Sequence, residues 1–387
     1  MGRDERKRII QEIENHRGSK VLVYFVGDRP LLKAQIASDS IRWIYDHLKE
    51  FNKNEPVEKI DFYLYSRGGS LETPWPIVSI MREYCKNFNV LITSKAFSAT
   101  TLISLGADKI FMSPQGELGP VDPQMTEQGK GPPGTSPIQR IFSTEDISSY
   151  VSFIKDKVGI TDQDALADLT KSLADTLTPT TLGQVNRVHS HIRTVARKML
   201  SLIKPAISPT RIQEIIEALT ERTYIHGHSI RRDEARSMGL QINNMDTKLE
   251  KLCWDLFLDY ENEMNLNSPA NPLAYFSNPD QEEYVEDNAV IASIESEAMC
   301  HQFVGPLVLK KVRQMPPQLN LNLNIPIQLP PGILSAQLTP QLQQLLQQLQ
   351  QQFAAQISTM TTNQINRMSP VIGVDVHIEK TVWKLIS

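Results

Sequence analysis

From about residue 20 the chain alternates short runs rich in β-branched and aromatic residues with longer runs whose apolar positions recur at helical spacing. That is the rhythm of strands joined by crossover helices. VLVYFV (21–26) reads as the first strand. SDSIRWIYDHLKEF (38–51) places apolar residues at helical spacing behind a Ser or Asp cap, and KIDFYLYS (59–66) is the next strand. An RGGS turn follows directly. Residues 74–87 (PWPIVSIMREYCKN) carry proline early, where a helix tolerates it, and a stripe of Ile77, Ile80, Met81 and Tyr84. VLITSK (90–95), ATTLISLGA (99–107) and KIFMS (109–113) then predict a strand, a short apolar helix and a strand. Residues 114–137, rich in Gly, Pro and Gln, predict a long loop without regular elements. Residues 144–221 read as helices, and IRRDEARSMGL (230–240) as one or two further helical turns before a strand-like LQI.

The pattern changes beyond about residue 262. Residues 314–366 contain no Asp, Glu, Lys or Arg and are dominated by Gln, Leu, Asn and Pro. Within them Leu334, Leu338, Leu342, Leu345, Leu349, Phe353 and Ile357 recur at steps of three and four, which predicts an amphipathic helix over about 334–357 with a neutral glutamine face. Such a helix wants a partner, and a second subunit would supply one; composition alone fits a tethered low-complexity tail equally well. GVDVHIEKTVWKLIS, which follows, alternates apolar and polar side chains and predicts a terminal strand. The expected organisation is a domain over 1–262, a connecting segment with short strands over 263–313, and a Gln/Leu/Pro-rich tail over 314–387.

A length of 387 residues with 40% hydrophobic and 22% charged side chains excludes a wholly disordered chain. Net charge of −4 gives no global positive excess for a phosphate backbone, so no nucleic-acid partner is expected. The charged MGRDERKRIIQEIENHRG start lacks the apolar core of a signal peptide, and no run approaches the roughly 18 apolar residues of a membrane helix. A cytoplasmic location without an integral membrane segment is expected. Cys85, Cys253 and Cys300 are few, odd in number and widely spaced, which argues for reduced buried thiols rather than disulfides or structural zinc.

Two segments place small residues where a backbone must approach a substrate. Ser66-Arg67-Gly68-Gly69 follows a strand directly, and its glycines can take positive φ and present bare N–H groups to an anion. Taken alone, Gly-Gly after a strand is an ordinary tight turn. Lys95-Ala96-Phe97-Ser98-Ala99-Thr100-Thr101 turns a strand into a helix with Ser98 at the junction, at the positive end of the helix dipole. An isolated serine there is an ordinary N-cap; its combination with the Gly-Gly turn and the Gly-Ala-Asp that follows is rarer.

YLYSRGGSLETP and, about thirty residues later, AFSATTLISLGADKIFMSPQGELGPVDPQ resemble the Clp-fold serine peptidases, most closely the serine dehydrogenase proteinase family. LGAD and ELGPVDPQ are the specific strings, and YIHGHSIRRDEARSMGLQI resembles that family's closing element, so the resemblance covers roughly residues 8–260. It implies an α/β fold, a Clp/crotonase-type spiral of ββα units, here with a C-terminal helical extension and an added, mostly irregular or β tail. It also implies homo-oligomers, hydrolysis of peptide or protein substrates, and a Ser, Asp, His triad without cofactor or metal. Carried over by position, Ser98 matches the nucleophile, Asp122 the acid and His226 the histidine, with Gly68, Gly69 and the Ala99 amide as oxyanion hole. Arg67 stands where a proline is common, Phe97 where relatives often have lysine, and Thr100 where they have glycine.

The chemistry these residues imply is acyl transfer: a serine hydroxyl needs a base as it attacks, and imidazole has the matching pKa. His226 and His228 flank Gly227; register favours His226 and leaves His228 as the alternative base. A Ser-Lys dyad with Lys95, Lys130 or Lys155 is the mechanistic rival. QGKGPPGTS (128–136) lacks the Gly-Lys-Ser/Thr ending of a phosphate loop, and no Walker motif appears, so the activity expected is independent of ATP. His189-Ser-His191 and His226-Gly-His228 would face one way on a strand and could hold a metal, but ligand partners at the needed spacing are missing. The rival functions are a catalytically impaired oligomeric scaffold on the same fold, or an acyl-CoA hydratase or thioesterase of crotonase type.

Overall fold

The computed structural model describes residues 2–53, 57–122, 124–129, 138–220, 228–314 and 339–386. The chain begins with α1 (Arg3–Arg17), β1 (Lys20–Val26), β2 (Asp28–Arg29), β3 (Leu32–Lys33), α2 (Ser40–Phe51), β4 (Val57–Tyr65), α3 (Pro74–Tyr84) and β5 (Cys85–Ile92). Then come β6 (Lys95–Ala96), α4 (Ala99–Leu105), β7 (Lys109–Met112), β8 (Glu117–Leu118) and the antiparallel pair β9 (Gln124–Gly129) and β10 (Ile138–Ser143). Helices follow: α5 (Thr144–Ser152) running into a π-helical turn, α6 (Gln163–Thr176), α7 (Pro179–Leu200), α8 (Pro209–Thr220) and α9 (Arg232–Ser237). β11 (Ile242–Asn244), α10 (Thr247–Glu263), β12 (Glu283–Glu295), β13 (Cys300–Arg313), α11 (Pro340–Met368), β14 (Val371–Ile378) and β15 (Val382–Leu385) complete it. No helix among the described residues is long and apolar enough to cross a membrane.

Two units are distinguishable. The first comprises Met1–Ser268, Ala289–Gly305 and Thr381–Ser387. Its sheet runs β11-β7-β5-β4-β1-β12-β13, with β15 on β13; the first five strands are parallel and β12 joins β1 antiparallel. The parallel strands read as continuous apolar runs because both faces are covered. On β1, Leu22, Tyr24 and Val26 enter a core with residues of α2, α3, α4, α7 and α8, while Val21, Val23 and Phe25 enter a second core with α1 and α10. A full side-chain burial of this kind stabilises by about 1.5–3 kcal/mol each.

Short extended pieces following the main strands form a second ladder: Ile36 bridges Gly69, Ser66 bridges Ala96, Lys95 and Ala96 pair with Glu117 and Leu118, and Leu118 bridges Ile230. Each crossover therefore contributes a sheet strand, a second extended piece and a helix. That is the repeated ββα unit, on a mixed α/β sheet. The candidate residues lie along this second ladder.

The second unit comprises Pro269–Asn288 and Pro306–Lys380. In it β14 pairs antiparallel with residues 307–313 of β13, and Arg313 forms an ion pair with Glu282 at 2.8 Å. α11 has Leu342, Leu345, Leu349, Phe353 and Ile357 all exposed.

Several expectations change. The third strand begins at Cys85, not Val90, because Phe88 and Val90 face one core while Asn89, which breaks the apolar run, is buried with its amide donated to Asp61 (2.8 Å). Part of the expected 114–137 loop is regular: β8 pairs with β6, and β9 finds its ladder partner in β10. The strands expected to be short within 263–313 are 13 and 14 residues long, and residues 289–305 pack with the first unit rather than as a connector. α11 starts at Pro340 and extends to Met368, past the expected end at 357; Leu334 and Leu338 lie outside the described residues. Asp39 precedes α2 but makes no side-chain cap; it accepts the Trp383 indole N–H at 2.8 Å instead.

Candidate functional site

The turn after β4 is built by its glycines. Gly68 and Gly69 have φ of 113° and 155°, a region L side chains rarely adopt. Space demands them as well. A Cβ on Gly68 would lie 2.8 Å from the Ser98 Cβ and 2.9 Å from the Phe97 carbonyl, and one on Gly69 would lie 2.2 Å from the Ile36 carbonyl oxygen. The ladder locks the turn from both sides: the Ile36 N–H donates to the Gly68 carbonyl and the Ser70 N–H to the Ile36 carbonyl, both at 2.8 Å.

Ser98 sits where β6 turns into α4, with φ 51° and ψ −112°. For a residue with a Cβ this conformation costs on the order of 1–3 kcal/mol and persists only where the surroundings over-determine it. Here they do. Phe97 donates its N–H to the Ser66 carbonyl (3.0 Å), Thr100 donates to the Phe97 carbonyl (3.0 Å), and Leu102 donates to the Ser98 carbonyl (3.1 Å). The Thr101 hydroxyl lies 2.8 Å from both the Ala96 and the Gly119 carbonyls and ties the turn to the next loop. The Ser98 side chain does not cap α4, so its hydroxyl is not occupied in the way an ordinary N-cap serine's is.

The three expected oxyanion-hole residues are not equivalent. The Gly68 N–H donates to the Ser66 hydroxyl at 2.9 Å and is occupied within the turn. Among the described residues the Gly69 and Ala99 N–H groups have no acceptor. Gly68 thus acts through its missing side chain, which lets Ser98 pack against the turn, and Gly69 and Ala99 are the open amides. Nothing in the sequence separates the three.

Asp122 is buried, 6% exposed, at the end of a loop whose Gly119 N–H donates to Ala96 (3.3 Å) and whose Val121 N–H donates to Leu219 (3.2 Å). Packing against Phe97 confines that loop: a Cβ on Gly119 would meet the Phe97 ring at 3.0 Å. His226 and Lys130 lie outside the described residues, as does most of 128–136. His228 is exposed, with its Nε2 2.7 Å from Glu234 Oε1. Lys155 is exposed on the π-helical turn after α5. His189 and His191 stand on helix α7, not on a strand, so a spacing of two turns them to different faces; His189 lies 3.7 Å from Glu145. Among the described residues no group of three or more His, Cys, Asp or Glu side chains is arranged to hold a metal.

Lys95 is held by a residue the sequence did not point out. Its Nζ donates to Asp28 Oδ2 at 2.8 Å, and the same carboxylate accepts from Arg67 Nε and the Tyr65 hydroxyl, both at 2.7 Å. Burial raises the pKa of Asp28, but the hydrogen bonds from Lys95, Tyr65 and Arg67 outweigh it and hold the carboxyl below its ordinary range. With its Nζ donating to Asp28, Lys95 is engaged elsewhere, which disfavours it as a general base.

The buried thiols fit the reduced state expected for them. All three cysteines are free, and burial pushes Cys85 and Cys300 up to about 12.

Comparison with known proteins finds several to which the chain is similar. Two uncharacterized proteins of Methanocaldococcus jannaschii are similar: MJ0137, 26% identical over 245 residues (62% of this chain and 73% of that protein), and MJ1495, 22% identical over 275 residues (70% and 80%). Solved structures with similarity include a membrane-bound stomatin-specific protease (16% identical, covering 59% of this chain and 83% of that one, TM-score 0.33). ClpP1 from Listeria monocytogenes is another (12% identical, 62% and 99%, TM-score 0.32). Residues 2–146, which hold Gly68, Gly69, Ser98, Ala99 and Asp122, match the family of ClpP-like SDH-type serine proteinases, the family that the strings around Ser98 resemble.

Proposed function

We propose that the protein is an ATP-independent serine peptidase that cleaves peptide bonds through an acyl-enzyme on Ser98. The observation that carries this reading is the conformation of Ser98, a residue with a Cβ at φ 51° beside two open amides and with no capping bond of its own. Strain of this sort needs a return in function.

In the proposed reaction His226 takes the Ser98 proton as Oγ bonds to the scissile carbonyl carbon. The carbonyl oxygen, now negative, accepts from the Gly69 and Ala99 N–H groups. The C–N bond breaks as the imidazolium returns the proton to the leaving amine, and water, activated by the same imidazole, releases the acid. Asp122 holds the imidazole tautomer. The chain segments that carry the two are tied together, since Leu118 and Ile230 exchange backbone hydrogen bonds at 3.0 and 2.8 Å. His228 is the less suited base, since Glu234 engages its Nε2.

The reading includes assembly into a homo-oligomer, supported by α11, whose stripe from Leu342 to Ile357 stands between 38 and 55% exposed.

A fluorophosphonate probe tests the enzyme reading. Labelling at Ser98 is expected, absent in Ser98→Ala and strongly slowed in His226→Ala but not in His228→Ala. A folded protein that stays unlabelled under all conditions would instead support a scaffold.

A further inference from the structure

The cluster around Asp28 is not needed for acyl transfer, yet it lies at the same turn. Arg67 directly precedes Gly68, and Lys95 stands three residues before Ser98. Their backbones are joined, since the Ser66 N–H donates to the Lys95 carbonyl at 3.0 Å. Asp28 is the shared anchor, 8% exposed on its side chain, while Arg67 is 55% and Lys95 31% exposed. Two cations on one carboxylate leave one positive charge unneutralised. Arg67 uses only Nε in this pair, so its two terminal nitrogens keep donors to spare on a half-exposed side chain. The anchor itself is rigid: the Tyr65 ring that donates to Asp28 stacks on Phe25 at 4.2 Å. A loosely solvated surface pair would have none of this support.

We propose that Arg67 and Lys95, positioned by Asp28, form a cationic subsite that selects substrates bearing a carboxylate close to the scissile bond. This rests on the peptidase reading of Ser98 and deepens it by naming the substrate class: an acidic peptide. The carboxylate is an Asp or Glu side chain or a chain-terminal carboxylate; both offer two oxygens to a guanidinium fork. Asp28 touches no substrate and is a positioning residue.

The test uses the full-length Ser98→Ala protein and measures peptide binding by fluorescence polarisation, so it does not depend on turnover. Three otherwise identical peptide series carry glutamate, glutamine or lysine at successive positions; each is made with a free and an amidated C-terminus. Glutamate at one position should bind about tenfold tighter than glutamine, the ratio one charge-assisted contact gives. The preference should shrink as salt rises from 50 to 500 mM, on the order of the fall that screening imposes. A preference that follows the free terminus rather than the side chain identifies that source of the carboxylate. Arg67→Ala and Lys95→Ala should each reduce the glutamate-to-glutamine ratio, and Arg67→Lys should restore part of it. Should Arg67→Ala misfold, the salt dependence of the Ser98→Ala protein with Arg67 intact still decides. Equal binding of glutamate and glutamine at every position overturns the subsite while leaving Ser98 labelling, and hence the peptidase reading, intact.

Discussion

Two charged centres in the first unit are built on opposite principles. Around Arg6 the central groups are buried and the cluster is closed. The guanidinium, 1% exposed, donates to Glu295 and Asp259 at 2.8 Å and lies 3.0 Å from Glu263; Tyr260 donates to Glu295 at 2.7 Å and Arg3 to the same carboxylate at 2.9 Å. Burial disfavours the Arg6 charge, but Tyr260, Glu295 and Glu263, with the Asp259 hydrogen bond, hold it above its ordinary range. The centre fastens α1 to α10 and β12. Around Asp28 the anchor is buried, but the cations reach solvent, the next residues carry open amides, and Ser98 is strained. A closed centre of this kind holds a fold together, whereas an open one leaves hydrogen-bonding capacity for a ligand.

That contrast is sharpest if activity and stability separate between the two regions. Ser98→Ala should lower hydrolysis by about 10⁴–10⁶-fold with no loss of stability, read as peptide turnover beside a urea melt. Gly68→Ala should follow in size. Its Cβ would sit 2.8 Å from that of Ser98 at φ 113°, so turnover should drop on the order of 100-fold as the turn shifts, with about 1–3 kcal/mol of destabilisation. Retained activity in Gly68→Ala would mean that the turn does not position the serine.

At the closed centre, Arg6→Ala leaves buried carboxylates uncompensated and should cost about 3–5 kcal/mol, measured by denaturant midpoint, without altering the pH profile of turnover. Buried His47 tests the same logic by pH. Its Nδ1 lies 2.8 Å from Ser296 Oγ and its Nε2 3.2 Å from His301, and desolvation first, then His301, lowers its pKa from 6.5 to about 3. Between those values the unfolded chain binds the proton and the folded protein does not. Stability should therefore be full above about pH 6.5 and fall as pH drops towards 3, by up to a few kcal/mol. His47→Gln should flatten this slope in urea melts at pH 7, 5.5 and 4.5. The smallest effect belongs to Ser98→Gly: relief of the positive φ should raise stability by about 1 kcal/mol while labelling disappears.

The parallel strands and their helices were legible because both-face burial writes itself as unbroken apolar runs, as in VLVYFV and DFYLY. α1 was not, because Ile9, Ile10 and Ile13 are spread among charged residues, one of which, Arg6, is itself buried. β12 and β13 escaped in part because polar residues such as Glu295 and Gln302 face the interior, and Glu295 finds its charged partner Arg6 289 residues away. Of the site, Ser98, Gly68 and Gly69 stood out through local chemistry. Asp28 did not, since its role depends on Lys95 and Arg67, which lie 67 and 39 residues away. Which glycine amide is open was equally hidden, as it turns on the rotamer of Ser66.

A crystal structure of the protein after reaction with a fluorophosphonate would show whether Ser98 is the nucleophile and which amides hold the oxyanion. Phosphorus is expected on Ser98 Oγ and the phosphoryl oxygen within about 3 Å of the Gly69 and Ala99 nitrogens, with the Gly68 N–H still on Ser66. Phosphorus on another side chain, or a phosphoryl oxygen turned away from both amides, would contradict that assignment.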